Sequence, residues 1–266
     1  MKTILIQANA KLNLSLEILR KRPDGYPEIE SIFQSINLSD FLLLERAKNN
    51  YFSGGIICPD SDNLILKAKN HLEKIVGKKL TCHIHLQKVI PIAAGFGGGS
   101  ADAAAAIFGL NLLYNLGLAK KELAKIGKSI GADVPFFFYG GTCKVGGIGE
   151  KITPIKKRLP KLFVLFRPHK RIGTKKMYEL HDKTGKDFPT LARELCPDIK
   201  NIEKYLADFK IEAKLSGSGP TIFCGLDSYR LAQEIAQGYY LRFNGDIFIC
   251  QPQKEALKVL CPVRQL

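Results

Sequence analysis

Gly95, Gly97, Gly98 and Gly99 crowd together directly before Ser100, Asp102 and a run of alanines. Glycine lets a backbone come close to a ligand, because it has no side chain and tolerates positive φ. Ser100 suits a helix N-cap and Asp102 suits a first helical turn. A helix start exposes unpaired N–H groups and the positive end of its dipole, so these parts together describe a phosphate cradle. No Lys-Ser or Lys-Thr follows the glycines, and GFGGGS lacks the last glycine of GxGxxG, so neither a Walker A loop nor a dinucleotide fingerprint fits. The bland alternative is a flexible loop capping a buried helix. Lys11 and Asn13 share the polar face of an alternating stretch and can point into one cleft, although most strand lysines are simply exposed. Asp133, in GADVP, is a turn or N-cap residue on local grounds.

Other chemistry-bearing residues form no comparable constellation. His83 and His85 fall on one strand face, as a metal pair would, but no third ligand is suggested nearby. The seven cysteines are scattered and form no CxxC pair, so they read as reduced, mostly buried thiols. Forty basic against 25 acidic side chains give +15, which favours anionic partners, either nucleic acid or phosphorylated small molecules. The basic cluster from Lys151 to Lys176 lacks the interleaved aromatics of a single-strand stacking surface. No apolar run reaches the roughly 18 residues of a membrane span, and the opening MKTILIQ reads as a mature strand rather than a signal peptide. A cytoplasmic protein is expected.

The elements that must position these groups mix without a βαβ rhythm. Thr3–Gln7 and the alternating Ala8–Leu19 predict strand, the RPDGYP stretch a turn, and Ile29–Leu44 a further strand. Helical spacing covers Asn63–Val76, and strand returns over Leu80–Lys88. The glycine loop enters an alanine-rich helix ending near Gly117, an amphipathic helix carries Leu118, Leu123, Ile126 and Ile130, and GADVPFFFYGG leads into an aromatic strand. After Pro154 come a strand at Leu162–Phe166, helical character near Lys175–Glu194, the glycine turn LSGSGPTIF, a helix near Leu231–Gly238 and a strand at Ile247–Ile249. The fold class is α+β, in two parts, 1–153 and 154–266.

Three stretches, in order, resemble the motifs of GHMP kinases: Ala10–Leu14, the loop from Pro91 to Ala106, and Leu215–Pro220. Within that superfamily AKLNLSLEILRKRPDGY, IFQSINLSD, GFGGGSADAAA, GADVPFF and GIGEKITPI are similar to the branch that phosphorylates the 2-hydroxyl of a cytidine-diphosphate-linked methylerythritol on the non-mevalonate route to isoprenoids. The resemblance implies two lobes, the first like domain 2 of ribosomal protein S5 and the second ferredoxin-like. It implies ATP with Mg²⁺; no metal-ligating residues are singled out, and a monomer or weak homodimer without nucleic-acid or membrane partners is expected. Lys11 and Asp133 become the catalytic pair, Asp133 orienting or deprotonating the hydroxyl and Lys11 compensating charge. Pro91, Ala94, Gly95, Gly97, Gly98, Gly99, Ser100 and Ala101 become the nucleotide-binding set. Asn13, Tyr26, Pro27, Phe33, Thr174, Tyr178 and Gly217 become the acceptor-binding set, with Tyr26 and Tyr178 able to stack on a cytosine. Two positions depart from the family pattern. Pro27 replaces a histidine that reads the cytosine edge, and Ala101 replaces a serine, leaving Ser100 as the hydroxyl near the phosphates. Two alternatives stay open: a homoserine or mevalonate type of GHMP kinase, and a non-catalytic nucleic-acid binder on the S5-like lobe.

Overall fold

The computed structural model describes residues 3–23, 25, 27–55, 59 and 61–261; Tyr26 and Cys58 lie outside them. The chain opens with two long antiparallel strands, β1 (Thr3–Lys21) and β2 (Pro27–Arg46), and a short β3 (Tyr51–Gly54). Helix α1 (Leu64–Val76) starts at Asn63, whose side chain accepts from the Ile65 and Leu66 N–H groups, and stops at Gly77 in the left-handed region. After it come β4 (Cys82–Gln87), α2 (Gly98–Leu113), α3 (Lys120–Lys128), α4 (Val134–Tyr139), β5 (Thr142–Gly147) and β6 (Lys151–Pro154). The later part holds β7 (Leu162–Pro168), α5 (Thr174–Thr184), α6 (Phe188–Leu195), α7 (Asp198–Ala207), β8 (Lys214–Leu215), β9 (Ile222–Leu226), α8 (Tyr229–Arg242), β10 (Gly245–Cys250) and β11 (Leu257–Cys261).

The strands form two sheets. The first is seven-stranded with the path β11-β1-β2-β4-β3, β5 and β6 extending from β2; the second is four-stranded, β10-β7-β9-β8. Strand β11 pairs antiparallel with β1, so the last strand of the 154–266 part returns to the first sheet. Its alternating Leu257 and Val259 pack against that sheet's core. The GADVPFFFYGG stretch also differs from the strand expected. Pro135 sits in the first turn of a helix and Gly140, at φ 64°, ends it, so the aromatic run is α4 and the strand begins only at Thr142.

Three apolar cores hold the elements together. One lies between the first sheet and α1–α4, and a second between the later sheet and its helices. The third joins the sheets: Ala10, Leu12, Ile36 and Phe96 meet Phe163, Leu165 and Phe223. Strand β7 is therefore apolar on both faces, with Leu162, Val164 and Phe166 toward the helices and Phe163 and Leu165 toward the first sheet. Burying such a side chain contributes about 1.5–3 kcal/mol.

Candidate active site

Lys11 and Asn13 lie on β1 between register shifts at Asn9/Ala10 and Asn13/Ser15. Such bulges re-aim side chains. Asn9, Lys11 and Asn13 are all buried, so the polar face of β1 looks into the molecule rather than into solvent. The Lys11 ammonium donates to Asn13 Oδ1 at 2.5 Å and stands 3.4 Å from Asp133 Oδ2. It also lies 4.5 Å above the centre of the Phe33 ring.

Asp133 precedes α4, but its carboxylate makes no capping hydrogen bond. The cause lies in the packing of α4 itself. Phe136, Phe137 and Phe138 are buried, and Phe136 meets Phe33 edge to face at 5.4 Å. The aromatic run thus anchors the short helix under Lys11 and leaves the acid free to face the amine. Asp133 is one-third exposed against 7% for Lys11, so the acid is the member of the pair that solvent reaches.

The glycine loop closes over this pair. Helix α2 begins at Gly98 with Gly97, at φ 69°, as its N-cap. Ser100, expected as the cap, is instead the third helical residue, because the left-handed Gly97 lets the helix start earlier. A Cβ on Gly97 would stand 2.9 Å from Lys11 Cγ and 3.0 Å from Phe137 Cζ, and one on Gly98 would stand 2.8 Å from Lys88 Nζ. The loop is clamped from both sides: Phe96 C=O accepts from Lys11 N–H at 2.9 Å, and Ala94 C=O accepts from the Thr221 hydroxyl at 3.0 Å.

Beside the loop lies a cavity of about 380 Å³ lined by Pro91, Ala94, Gly95, Gly97, Gly98, Gly99 and Ser100 among others. Ala101 is not part of it. It is fully buried in the first core, since the helix turns it toward the sheet. Asp62, Asn63, Leu64 and Ile65 form the facing wall, and Lys88 and Asp102 complete the lining. Apart from Asp102, the glycines alone could not reveal these, because they come from the start of α1 and from just past β4.

The other expected residues divide. Asn13 N–H donates to Ser216 Oγ at 3.3 Å, and a Cβ on Gly217 would stand 3.1 Å from Asn13 Oδ1, so the LSGSGP turn packs directly on the Asn13 side chain. Thr174 opens α5 and shares a 3.0 Å hydrogen bond with Ser218. Tyr178 packs on Phe188; burial, with the Asp133 charge second, pushes its phenol up to about 12. Thr174 thus meets the turn that holds Gly217 and packs on Asn13, and Tyr178 lies near enough to Asp133 to feel its charge. Phe33 is 1% exposed, and its ring lies under the Lys11 ammonium. Pro27 pairs with Lys21 at the far end of the β1–β2 hairpin, which is tied to α5 by a 2.6 Å Lys21–Asp182 pair. No contact joins Pro27 to the Lys11 pair among the described residues. The hydroxyls of Ser216 and Ser218 were missed, although the turn holding them was legible.

Elsewhere, Cys82, Cys143, Cys196, Cys224 and Cys250 are free and buried. His85 pairs with Ser53, and His83 packs on Tyr51. Among the described residues no cluster of three His, Cys, Asp or Glu could hold a metal ion, and no helix is long and apolar enough to cross a membrane.

Comparison with known proteins fits this geometry. The family model for the GHMP kinases N terminal domain matches residues 63–141, and that for the GHMP kinases C terminal region matches 174–243. A 4-diphosphocytidyl-2-C-methyl-D-erythritol kinase from Carboxydothermus hydrogenoformans is 38% identical over 94% of this chain and 96% of its own length. The chain belongs to the GHMP kinases, in the family of the 4-diphosphocytidyl-2-C-methyl-D-erythritol kinases. A member from Listeria monocytogenes is 36% identical over 95% of this chain and 97% of its own. A crystal structure of a 4-(cytidine 5'-diphospho)-2C-methyl-D-erythritol kinase superposes with a TM-score of 0.77 at 26% identity, covering 93% of this chain and 99% of that one. A homoserine kinase from Cytophaga hutchinsonii shares the fold alone, with a TM-score of 0.72 at 17% identity over 98% of both chains. GHMP kinases are ATP-dependent, and the two-lobed α+β architecture is theirs.

Proposed function

We propose that this chain transfers the γ-phosphoryl group of ATP to the 2-hydroxyl of 4-diphosphocytidyl-2-C-methyl-D-erythritol, as a cytoplasmic enzyme of isoprenoid synthesis. The observation that carries the reading is the Lys11–Asp133 pair, 3.4 Å apart, beneath a glycine loop that borders a cavity. Phosphoryl transfer needs alignment and charge compensation more than covalent help from the protein. The loop amides and the start of α2 suit polyphosphate oxygens. The close approach of Lys11 and Lys88 to Gly97 and Gly98 leaves no room for side chains there, as a cradle for phosphates requires. Mg²⁺, when bound with the nucleotide, supplies neutralising charge on the phosphates.

Asp133 accepts a hydrogen bond from the acceptor hydroxyl and holds or takes its proton. Lys11, fixed by Asn13 and by the face of Phe33, stabilises the charge that develops on the transferring group. Thr174, Tyr178 and the Ser216–Ser218 turn border the acceptor side. Lys170, Arg171, Lys175 and Lys176 are exposed near the start of α5, where they favour a diphosphate substrate over an uncharged polyol.

The test is ADP release with a panel of acceptors. Turnover with the cytidine-diphosphate methylerythritol, and none with homoserine or mevalonate, is the expected result. Acceptor-independent, salt-sensitive RNA binding with no ADP release would favour the binding-module alternative instead.

A further inference from the structure

Under the first turn of α2 lies a charge cluster that the transfer chemistry leaves without a role. Lys88, just past β4, holds Asp40 of β2 and Asp102 of α2 at once, and the ammonium stands 2.8 Å from Asp102 Oδ2. The trio is nearly sealed: side-chain exposure is 0% for Asp40, 2% for Asp102 and 10% for Lys88. Asp40 is saturated, because its other oxygen accepts from Val89 N–H at 2.6 Å and Ile90 N–H at 2.8 Å. Asp102 is not. Its Oδ1 is buried with no hydrogen-bond partner among the described residues. Lys88 and Asp102 both line the glycine cavity, and the Lys88 ammonium approaches Gly98 as closely as a missing Cβ permits.

Two carboxylates share one ammonium where water cannot compensate them, so the surplus proton has a place to reside. Asp102, with a buried oxygen that has no donor, can host it. We propose that Asp102 is a positioning residue of the nucleotide site: with Asp40 it fixes the Lys88 ammonium beneath the loop, and it retains a proton while a polyphosphate is bound. The inference rests on the reading that the glycine cavity holds the nucleotide.

The electrostatic reason is direct. With Asp102 protonated, the trio is neutral under the anion. With Asp102 ionised it carries a net negative charge, and that charge repels the phosphates. Burial lifts the Asp102 carboxyl to about 8, Lys88 opposing and Asp40 adding to the rise. The other charged groups around the cavity are few. Asp62 stands on its far wall, Lys11 lies on the other side of the loop against Gly97, and in α1 Lys69 and Glu73 are closed on each other at 2.7 Å.

The test uses ADP, titrated calorimetrically into the full chain in buffers of different ionisation heat. Wild type takes up a proton on binding in the mildly alkaline range, and its affinity falls by about tenfold between about pH 7 and about pH 9.5. Asp102→Asn, which fixes the group in its uncharged form, removes both the uptake and the alkaline loss. No proton uptake by the wild type, or the same pH profile in both proteins, overturns the role of Asp102 while leaving the nucleotide site standing. ADP that fails to bind the wild type at any of these pH values overturns the site and the inference together.

Discussion

The two sides of the cleft are built in different ways. On the proposed nucleotide side one continuous stretch, Pro91 to Asp102, supplies the loop, the helix start and most of the cavity lining, and buried Lys11, Phe137 and Ile90 and the nearly buried Lys88 press against it. On the proposed acceptor side the residues come singly from Asn13, Asp133, Thr174, Tyr178 and the Ser216–Ser218 turn, and Thr174 and its basic neighbours are exposed. The contrast teaches that the phosphate cradle is held by packing, whereas the acceptor pocket is held by a few hydrogen bonds across elements. Perturbing the first side should strain or empty it; perturbing the second should loosen it by small amounts.

The largest effect is expected where the two sides meet. Asp133→Asn should lower kcat at least about a hundredfold if the carboxylate assists the proton. ADP affinity, measured by calorimetry, should change little, since Asp133 is not among the residues of the cavity lining. Gly98→Ala attacks the packed side. Its methyl would meet Lys88 Nζ at 2.8 Å and Ile90 Cγ2 at 2.9 Å. Overpacking of that kind costs about 1–3 kcal/mol, so KM for ATP should rise roughly tenfold with KM for the acceptor unmoved. Thr174→Ala removes one exposed hydroxyl and its bond to Ser218. A loss of about 0.5–1.5 kcal/mol corresponds to a rise in acceptor KM of a few fold, with ATP kinetics unchanged. A reversal of the last two patterns, with Gly98→Ala affecting the acceptor or Thr174→Ala affecting ATP, would break the comparison.

A separate readout, stability against pH, sharpens the picture of the packed side. The folded protein holds the Asp102 proton up to about 8, far above an ordinary carboxylate. Between the unfolded value and that point the folded state binds the extra proton, so this group makes stability fall as pH rises through the window. Asp102→Asn should flatten that part of the Tm-against-pH curve, an outcome that thermal denaturation at several pH values would read.

Much of this could be read from residues in a row. The glycine cluster, the alternation around Lys11 and the order of the three motifs pointed to the loop, the cleft-facing strand and the fold. What stayed hidden depends on partners far along the chain. Phe33 is an aromatic residue in a strand and gives no sign that its ring lies under Lys11. Ser100 satisfies every local rule for a cap, yet the left-handed Gly97 takes that position. The aromatic run after Asp133 has the β-rich composition of a strand, but a proline in the first turn and Gly140 after the last make it a helix. The Asp40–Lys88–Asp102 trio joins positions that are ordinary one by one. The return of Leu257–Cys261 to the first sheet is a matter of topology, which a short apolar strand cannot announce.

The central claim is that the acceptor hydroxyl is held between Asp133 and a polyphosphate resting on the Gly95–Ser100 backbone. A crystal structure with a non-hydrolysable ATP analogue and 4-diphosphocytidyl-2-C-methyl-D-erythritol tests it most directly. The expected result is the 2-hydroxyl oxygen within hydrogen-bond reach of the Asp133 carboxylate, about 2.6–3.2 Å, and the triphosphate on the loop amides. A triphosphate bound away from that loop, or an acceptor whose hydroxyl faces neither Asp133 nor Lys11, would contradict it.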